Sequence, residues 1–166
     1  MKIDVTQHCD IDVNLLKNII EIKSVAWPYS VANQIKWLST NLKTSDFHVL
    51  LNDHGSYVAY LNLIHIDILI DEISKPALGL GNVCAKERGK NYGTELMKST
   101  NDFLLENKRP GLLFCKEETI GFYSKCDWEV IPKAKIKVSF DSPKIAAMSF
   151  NLGNQYSKIN YCGVSF

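Results

Sequence analysis

Apolar residues recur along the chain with two different periods, and the changes of period mark out its elements. After a short strand-like opening, Leu15, Leu16, Ile19, Ile20 and Ile22 repeat at helical spacing behind the candidate caps Asp10 and Asp12, and Pro28 closes the run. Ser30 is suited to cap a second predicted helix, in which Val31, Ile35, Leu38 and Leu42 form one stripe. Residues 47–51 and 57–70 read as strands around a turn at 52–55. In the longer one Ile64, Ile66, Ile68 and Ile70 share a face, with Leu63, His65, Asp67 and Leu69 on the other. A bend at 72–76 is expected to return the chain into a strand at 77–85, completing an antiparallel meander.

Helical spacing resumes over 91–107, where Tyr92, Leu96, Thr100 and Phe103 align, and Lys108-Arg109-Pro110-Gly111 stops it. The pattern then predicts a short buried strand at 112–115, a short helix at 118–126, a strand at 128–140 and a last strand at 145–152. No repeat, linker or low-complexity stretch interrupts this order, so the expectation is one α/β domain over residues 1–166.

Composition narrows the function classes. A chain that is 46% hydrophobic and 22% charged is ordinary for a globular protein. Its 19 basic and 18 acidic side chains leave a net charge of +1, too small a field to draw in nucleic acid or an anionic membrane, so neither is expected as a partner. The cysteines Cys9, Cys84, Cys115, Cys126 and Cys162 form no C-x-x-C pair and have no histidine in metal-ligand register; they read as reduced thiols, and no metal is expected. The N-terminus has no long apolar run, and 61–70 is interrupted by Asn62, His65 and Asp67, so the expected location is cytoplasmic.

The segment richest in chemistry runs from Gly81 through Asn82, Val83, Cys84, Ala85, Lys86, Glu87, Arg88, Gly89, Lys90, Asn91, Tyr92 and Gly93 to Thr94, carrying an apolar strand through a basic, glycine-containing turn into a helix. Such a turn aims backbone N–H groups and the positive end of the helix at one spot, which suits a pyrophosphate. Gly89 and Gly93 remove side chains where a phosphate approaches the backbone, and Arg88 and Lys90 add charge. Neither G-x-x-x-x-G-K-[ST] nor G-x-G-x-x-G occurs. Gly79 and Gly81, inside the strand, suggest a bulge, a close backbone approach or a plain bend.

Together with Phe122-Tyr123-Ser124-Lys125-Cys126-Asp127-Trp128, this segment resembles the GNAT superfamily of N-acetyltransferases over roughly residues 1–150. That family joins a strand ending V-x-[AV] to R/Q-x-x-G-x-G/A at a helix start, and later carries F-Y-x-x-x-G-[FW]. Asn91 and Asp127 stand where the motifs have glycine; Asn and Asp are the residues that best tolerate left-handed backbone in its place. The resemblance implies a mixed, mostly antiparallel sheet flanked by helices and splayed at an acyl-CoA site. It also implies acetyl-CoA as cofactor, held by Val83, Cys84, Ala85 and the stretch Arg88, Gly89, Lys90, Asn91, Tyr92, Gly93 and Thr94.

By the same resemblance Tyr123 falls at the general-acid position, and backbone N–H groups near Val83 and Cys84 are the expected oxyanion donors. Many relatives carry a basic carboxylate on the strand before the loop; here Gly81 and Asn82 occupy that stretch, and Asn82 can only position an amine or a water. His65, with Asp67 on its face, is a candidate to pass a proton through water, set against a plain surface role. Cys84 and Cys115 read as packing residues rather than nucleophiles. The acceptor is expected between the Trp27-Pro28-Tyr29 loop and the face bearing His65 and Asp67, with Trp27, Tyr29 and Asp67 as its contacts, against a reading in which Trp27 fills the core.

Residues 46–50 and 55–59 give a second, weaker resemblance, to the aminoglycoside N-acetyltransferase branch. The partners expected are therefore a small-molecule amine and, in a homodimer, a second copy of the chain. Two functions stay open, an N-acetyltransferase acting by direct attack of a primary amine and a non-catalytic acyl-CoA-binding sensor or assembly module.

Overall fold

In the computed structural model, which describes residues 1–140, 144–153, 155–163 and 165–166, strand β1 (Lys2–Gln7) opens the chain. Helix α1 (Val13–Ala26) starts at Asp12, whose carboxylate accepts the Leu15 N–H at 2.7 Å and so satisfies a donor that a helix start leaves without a partner. Helix α2 (Val31–Asn41) is capped in the same way by Ser30, which accepts from the Asn33 N–H at 3.3 Å. Both caps are those the sequence suggested.

Strands β2 (Phe47–Asp53) and β3 (Ser56–Ile70) meet at His54 and Gly55, with φ of 49° and 88°, the two-residue turn geometry that matches strand twist. Strand β4 (Ile73–Ala85) follows almost at once, because Asp71 and Glu72 turn the chain with φ of 47° and 67°. The bend expected over 72–76 is therefore shorter, and Pro76 lies inside the strand. The Asp71 carboxylate holds this turn by accepting the N–H groups of Ser157 at 3.0 Å and Lys158 at 2.8 Å.

Helix α3 (Tyr92–Glu106), strand β5 (Gly111–Lys116) and helix α4 (Ile120–Ser124) fall close to their predicted places. The strand expected over 128–140 is broken. Pro132 cannot donate to a ladder, and around it the chain forms strand β6 (Glu129–Val130), a 3-10 turn at Lys133–Lys135 and strand β7 (Ile136–Val138). Strand β8 (Ile145–Phe150) and the unforeseen strand β9 (Ile159–Tyr161) complete the described elements.

The strands form a mixed, largely antiparallel, open sheet of nine, in the order β1-β2-β3-β4-β5-β8-β6, with β9 pairing β3 and β7. β4 and β5 are parallel, and their register covers only Leu78 to Leu80 against Gly111 to Leu113, although the strands run on to Ala85 and Lys116.

By contacts the chain divides into two compact units, Met1–Ile64 with Asn82–Thr100, and His65–Gly81 with Asn101–Phe166. In the first, Ile19 and Ile22 of α1, Leu38 of α2 and Val49, Leu51, Leu61 and Leu63 of the strands are buried. The second buries Ile68, Ile70, Ala77, Leu112, Ile131, Ala147, Ile159 and Tyr161 as one cluster. Trp128, also buried there, donates its indole N–H to Asn101 Oδ1 at 2.9 Å, and Asn101 Nδ2 donates to Cys126 O at 2.8 Å. Gly111 is required beneath that indole, since a Cβ on it would collide with Trp128.

Candidate functional site

In the first unit the basic turn leaves β4 at Ala85 and enters α3 at Tyr92. Its backbone is anchored by Lys86, whose N–H donates to Val58 O at 2.8 Å and whose ammonium pairs with Glu21 at 3.1 Å. Gly89 and Asn91 both take left-handed geometry, φ 78° and 62°, and a Cβ at Gly89 would meet nothing within 4 Å. Asn91 thus does what glycine would do there, and its side chain reaches Glu95 Oε1 at 3.2 Å in the first turn of α3. Arg88, Gly89 and Lys90 are exposed, so the turn presents positive charge and the helix start to solvent. Tyr92 is tied back by its hydroxyl, which donates to Asp53 Oδ2 at 3.3 Å.

Just before the turn, β4 is irregular at Asn82, with φ 54°. The glycines were the residues expected to mark an irregularity here; Gly81 takes no positive φ, and Gly79 instead makes room for a ring, since a Cβ on it would lie 2.5 Å from Phe166 Cζ. At the kink Asn82 Oδ1 accepts from Lys23 Nζ at 3.0 Å, and Asn82 Nδ2 donates to Asn62 Oδ1 at 2.6 Å. Lys23 extends from α1, is only 2% exposed, and lies over the Trp37 ring at 4.2 Å with the Trp27 ring at 5.9 Å. Burial lowers its pKa to about 8, opposed by the neighbouring Cys84.

Cys84 points into the same interior, its Sγ 3.8 Å from Tyr60 O, and burial raises its thiol to about 12. A thiol so far from ionising is a packing group and a poor nucleophile. Beside it the buried His48 contacts the half-buried His8 through one ring nitrogen and the Tyr60 hydroxyl through the other, each at 2.9 Å. Burial, then the charges of His8 and Lys23, push His48 down to about 4, so it is neutral at physiological pH.

No protein-family profile and no curated protein matches the sequence. Solved structures do match its fold. GNAT family N-acetyltransferase YhbS from Escherichia coli, crystallised with CoA, superposes with a TM-score of 0.64 at 12% identity, over 98% of this chain and 91% of that one. Escherichia coli ElaA gives 0.62 at 17% identity, covering 89% and 97%. An aminoglycoside 6'-N-acetyltransferase complexed with coenzyme A gives 0.58 at 10% identity, covering 89% and 96%. The fold is that of the GNAT N-acetyltransferases.

Within this GNAT fold the other sequence candidates fall as follows. Tyr123 lies in the second unit on α4, its carbonyl accepting the N–H groups of Cys126 at 2.9 Å and Trp128 at 3.2 Å, its ring 4.9 Å from that of Phe122. Asp127, the second motif's departure from glycine, has φ 65° as expected of a glycine substitute. His65 and Asp67 are both exposed on β3, also in the second unit. Trp27 and Tyr29 are in the first unit, where Trp27 is half-buried against Lys23 and Tyr29 is 64% exposed. The structure therefore joins Asn82 to Lys23 and Asn62, and Trp27 to Lys23.

Lys23 and Asn62 were missed from sequence, though each left a sign. Lys23 follows Ile19 by four residues and Ile20 by three, which puts a cation on the apolar stripe of α1. Asn62 alternates with Tyr60 and Ile64 on one face of β3, a polar side chain on a buried row.

Proposed function

We propose that this chain is an acyl-CoA-dependent N-acetyltransferase that transfers an acetyl group from acetyl-CoA to a primary amine. One observation carries the reading: inside a GNAT fold, an exposed basic turn held in left-handed geometry by Gly89 and Asn91 opens the 15-residue helix α3. The residues fit the cofactor. Open space at Gly89, exposed Arg88 and Lys90, and the first N–H groups of α3 suit a pyrophosphate, with Tyr92, Gly93 and Thr94 forming the helix end beneath it. Val83, Cys84 and Ala85 lie on β4 beyond Leu80, where its ladder with β5 has ended, which leaves strand backbone for an extended pantetheine arm.

Bound acetyl-CoA would supply the activated acyl group. The N–H groups of Val83 and Cys84 orient its carbonyl and stabilise developing negative charge, Asn82 positions the amine, and Tyr123 gives a proton to the departing sulfur. His65, exposed on β3, passes a proton through water; Tyr29 and Asp67 offer an aromatic surface and a carboxylate for an ammonium-bearing acceptor, an aminoglycoside among the candidates. The second reading is a non-catalytic acyl-CoA sensor, favoured by the amide of Asn82 where an acid would provide a base.

Thiol release from acetyl-CoA with a panel of primary amines separates the two. The enzyme reading expects amine-dependent release and an N-acetylated product, and the sensor reading expects acetyl-CoA binding without release. A folded Gly93→Val protein is expected to lose acetyl-CoA affinity by calorimetry, and Tyr123→Phe to lose turnover by about 100-fold to 10,000-fold while binding the cofactor normally.

A further inference from the structure

Lys23 is the charged group that the proposed machinery leaves unused. The residue is 2% exposed, and among the described residues its ammonium makes no ion pair with a carboxylate and has one hydrogen-bond acceptor, the neutral amide of Asn82. A buried ammonium with no counter-charge is costly, and the cost disappears if the group gives up its proton. Such a lysine, seated at the kink of the strand that leads into the cofactor turn, has a lone pair available for chemistry.

We propose that Lys23 is the base of this site, taking the proton from the ammonium form of the incoming amine. The inference rests on the acetyl-transfer reading above. One proton moves from the acceptor nitrogen to Lys23 Nζ. The neutral amine then forms the N–C bond as the C–S bond breaks, its second proton offsets the one that leaves with the sulfur, and Lys23 returns its own proton to water between turnovers. Asn82 holds the amino group through Oδ1 and is itself only half-buried, so the cluster reaches solvent at Asn82. The Trp37 and Trp27 rings limit where Nζ can go.

The titratable groups that face Lys23 leave it as the proton carrier. From β4, Cys84 is a thiol raised to about 12, and from β2, His48 is held near 4. Neither changes charge near neutrality, whereas Lys23, lowered by burial to about 8, does. A general base works best when its pKa lies near the working pH.

The experiment pairs two readouts on the full chain. NMR titration of the Lys23 side-chain signal, assigned by its loss in Lys23→Arg, is expected to give a midpoint near 8. The pH dependence of thiol release is then measured with acetyl-CoA and spermidine, kanamycin or a short peptide as the amine, in wild type, Lys23→Arg and Lys23→Met. Arginine keeps the charge and the stacking but cannot deprotonate, so both variants are expected to lose about 100-fold or more in kcat/KM and to lack the ascending limb near pH 8, with acetyl-CoA affinity and melting temperature held in Lys23→Arg. A folded Lys23→Arg protein with wild-type rate and pH profile overturns the proposal, and so does a Lys23 midpoint in the ordinary lysine range of about 10. If wild type binds acetyl-CoA and releases no thiol with any amine, it is the acetyl-transfer reading that fails, while the titration still decides whether Lys23 is poised.

Discussion

The two units bury different kinds of side chain. Of the buried polar residues among those described, Lys23, Gln34, Asp46, His48, Asn62 and Thr100 belong to the unit that holds the basic turn, and Asn101 and Ser149 to the other. Burial displaces Lys23, His48, Tyr60 and Cys84 in the first interior from their ordinary pKa values, and among the described residues Lys23 has no carboxylate partner. The second is built from aliphatic side chains and aromatic rings, with Phe114 packed against Phe140 at 4.9 Å and Phe166 at 5.3 Å. An apolar interior gains stability from close packing, whereas a buried ionisable group without a counter-charge lowers it. The first unit therefore holds the buried cation beside the basic turn, and the second is mainly apolar inside while carrying Tyr123 on α4 and the exposed His65 on β3.

The strongest way to break that contrast is to remove the indole at the centre of the second unit. Trp128→Ala is expected to cost about 3–5 kcal/mol in chemical denaturation, the range for a fully buried large aromatic. A loss as small as that of a surface substitution would mean that this interior is not the scaffold.

The acid side tests the first unit. With a folded pKa near 4 against an ordinary 6.5, His48 binds fewer protons folded than unfolded between those values, so stability is complete above 6.5 and falls as pH drops toward 4. The loss attributable to this group is expected to be about 3 kcal/mol, read as the difference between wild type and His48→Gln in denaturation at each pH. Identical pH profiles would show that His48 titrates normally.

Smaller effects sharpen the picture. Asn101→Ala leaves the Trp128 indole N–H and the Cys126 carbonyl without their partner and is expected to cost about 1–3 kcal/mol by thermal denaturation. Asn91→Gly is expected to change stability by less than about 1 kcal/mol and to keep acetyl-CoA affinity, because glycine adopts φ near 62° freely, whereas Asn91→Val is expected to damage both.

What the sequence disclosed follows from how local each cause is. Asp12 and Ser30 cap helices through bonds to residues three positions on, so both starts were legible. The left-handed positions at Asn91 and Asp127 were legible too, since the backbone demand of a tight turn selects among very few residue types. Strand β9 was not, because a run of three residues is too short to show a period and is held by partners in β3 and β7 that lie far away in sequence. The break at Pro132 was visible as a proline and was overridden by the alternation beyond it. Lys23 escaped for a different reason: a lysine on an apolar stripe usually extends its head to solvent, and only the tertiary contacts to Asn82 and the tryptophan rings show that this one stays inside.

The central claim, that this chain transfers an acetyl group from acetyl-CoA to an amine, is tested most directly by mixing the purified chain with acetyl-CoA and a panel of primary amines and following free thiol together with the mass of the amine. The account predicts thiol release that depends on the amine, matches N-acetylated product mole for mole, and is lost in Gly93→Val. Tight acetyl-CoA binding with no thiol release from any amine, or no binding of acetyl-CoA at all, would contradict it.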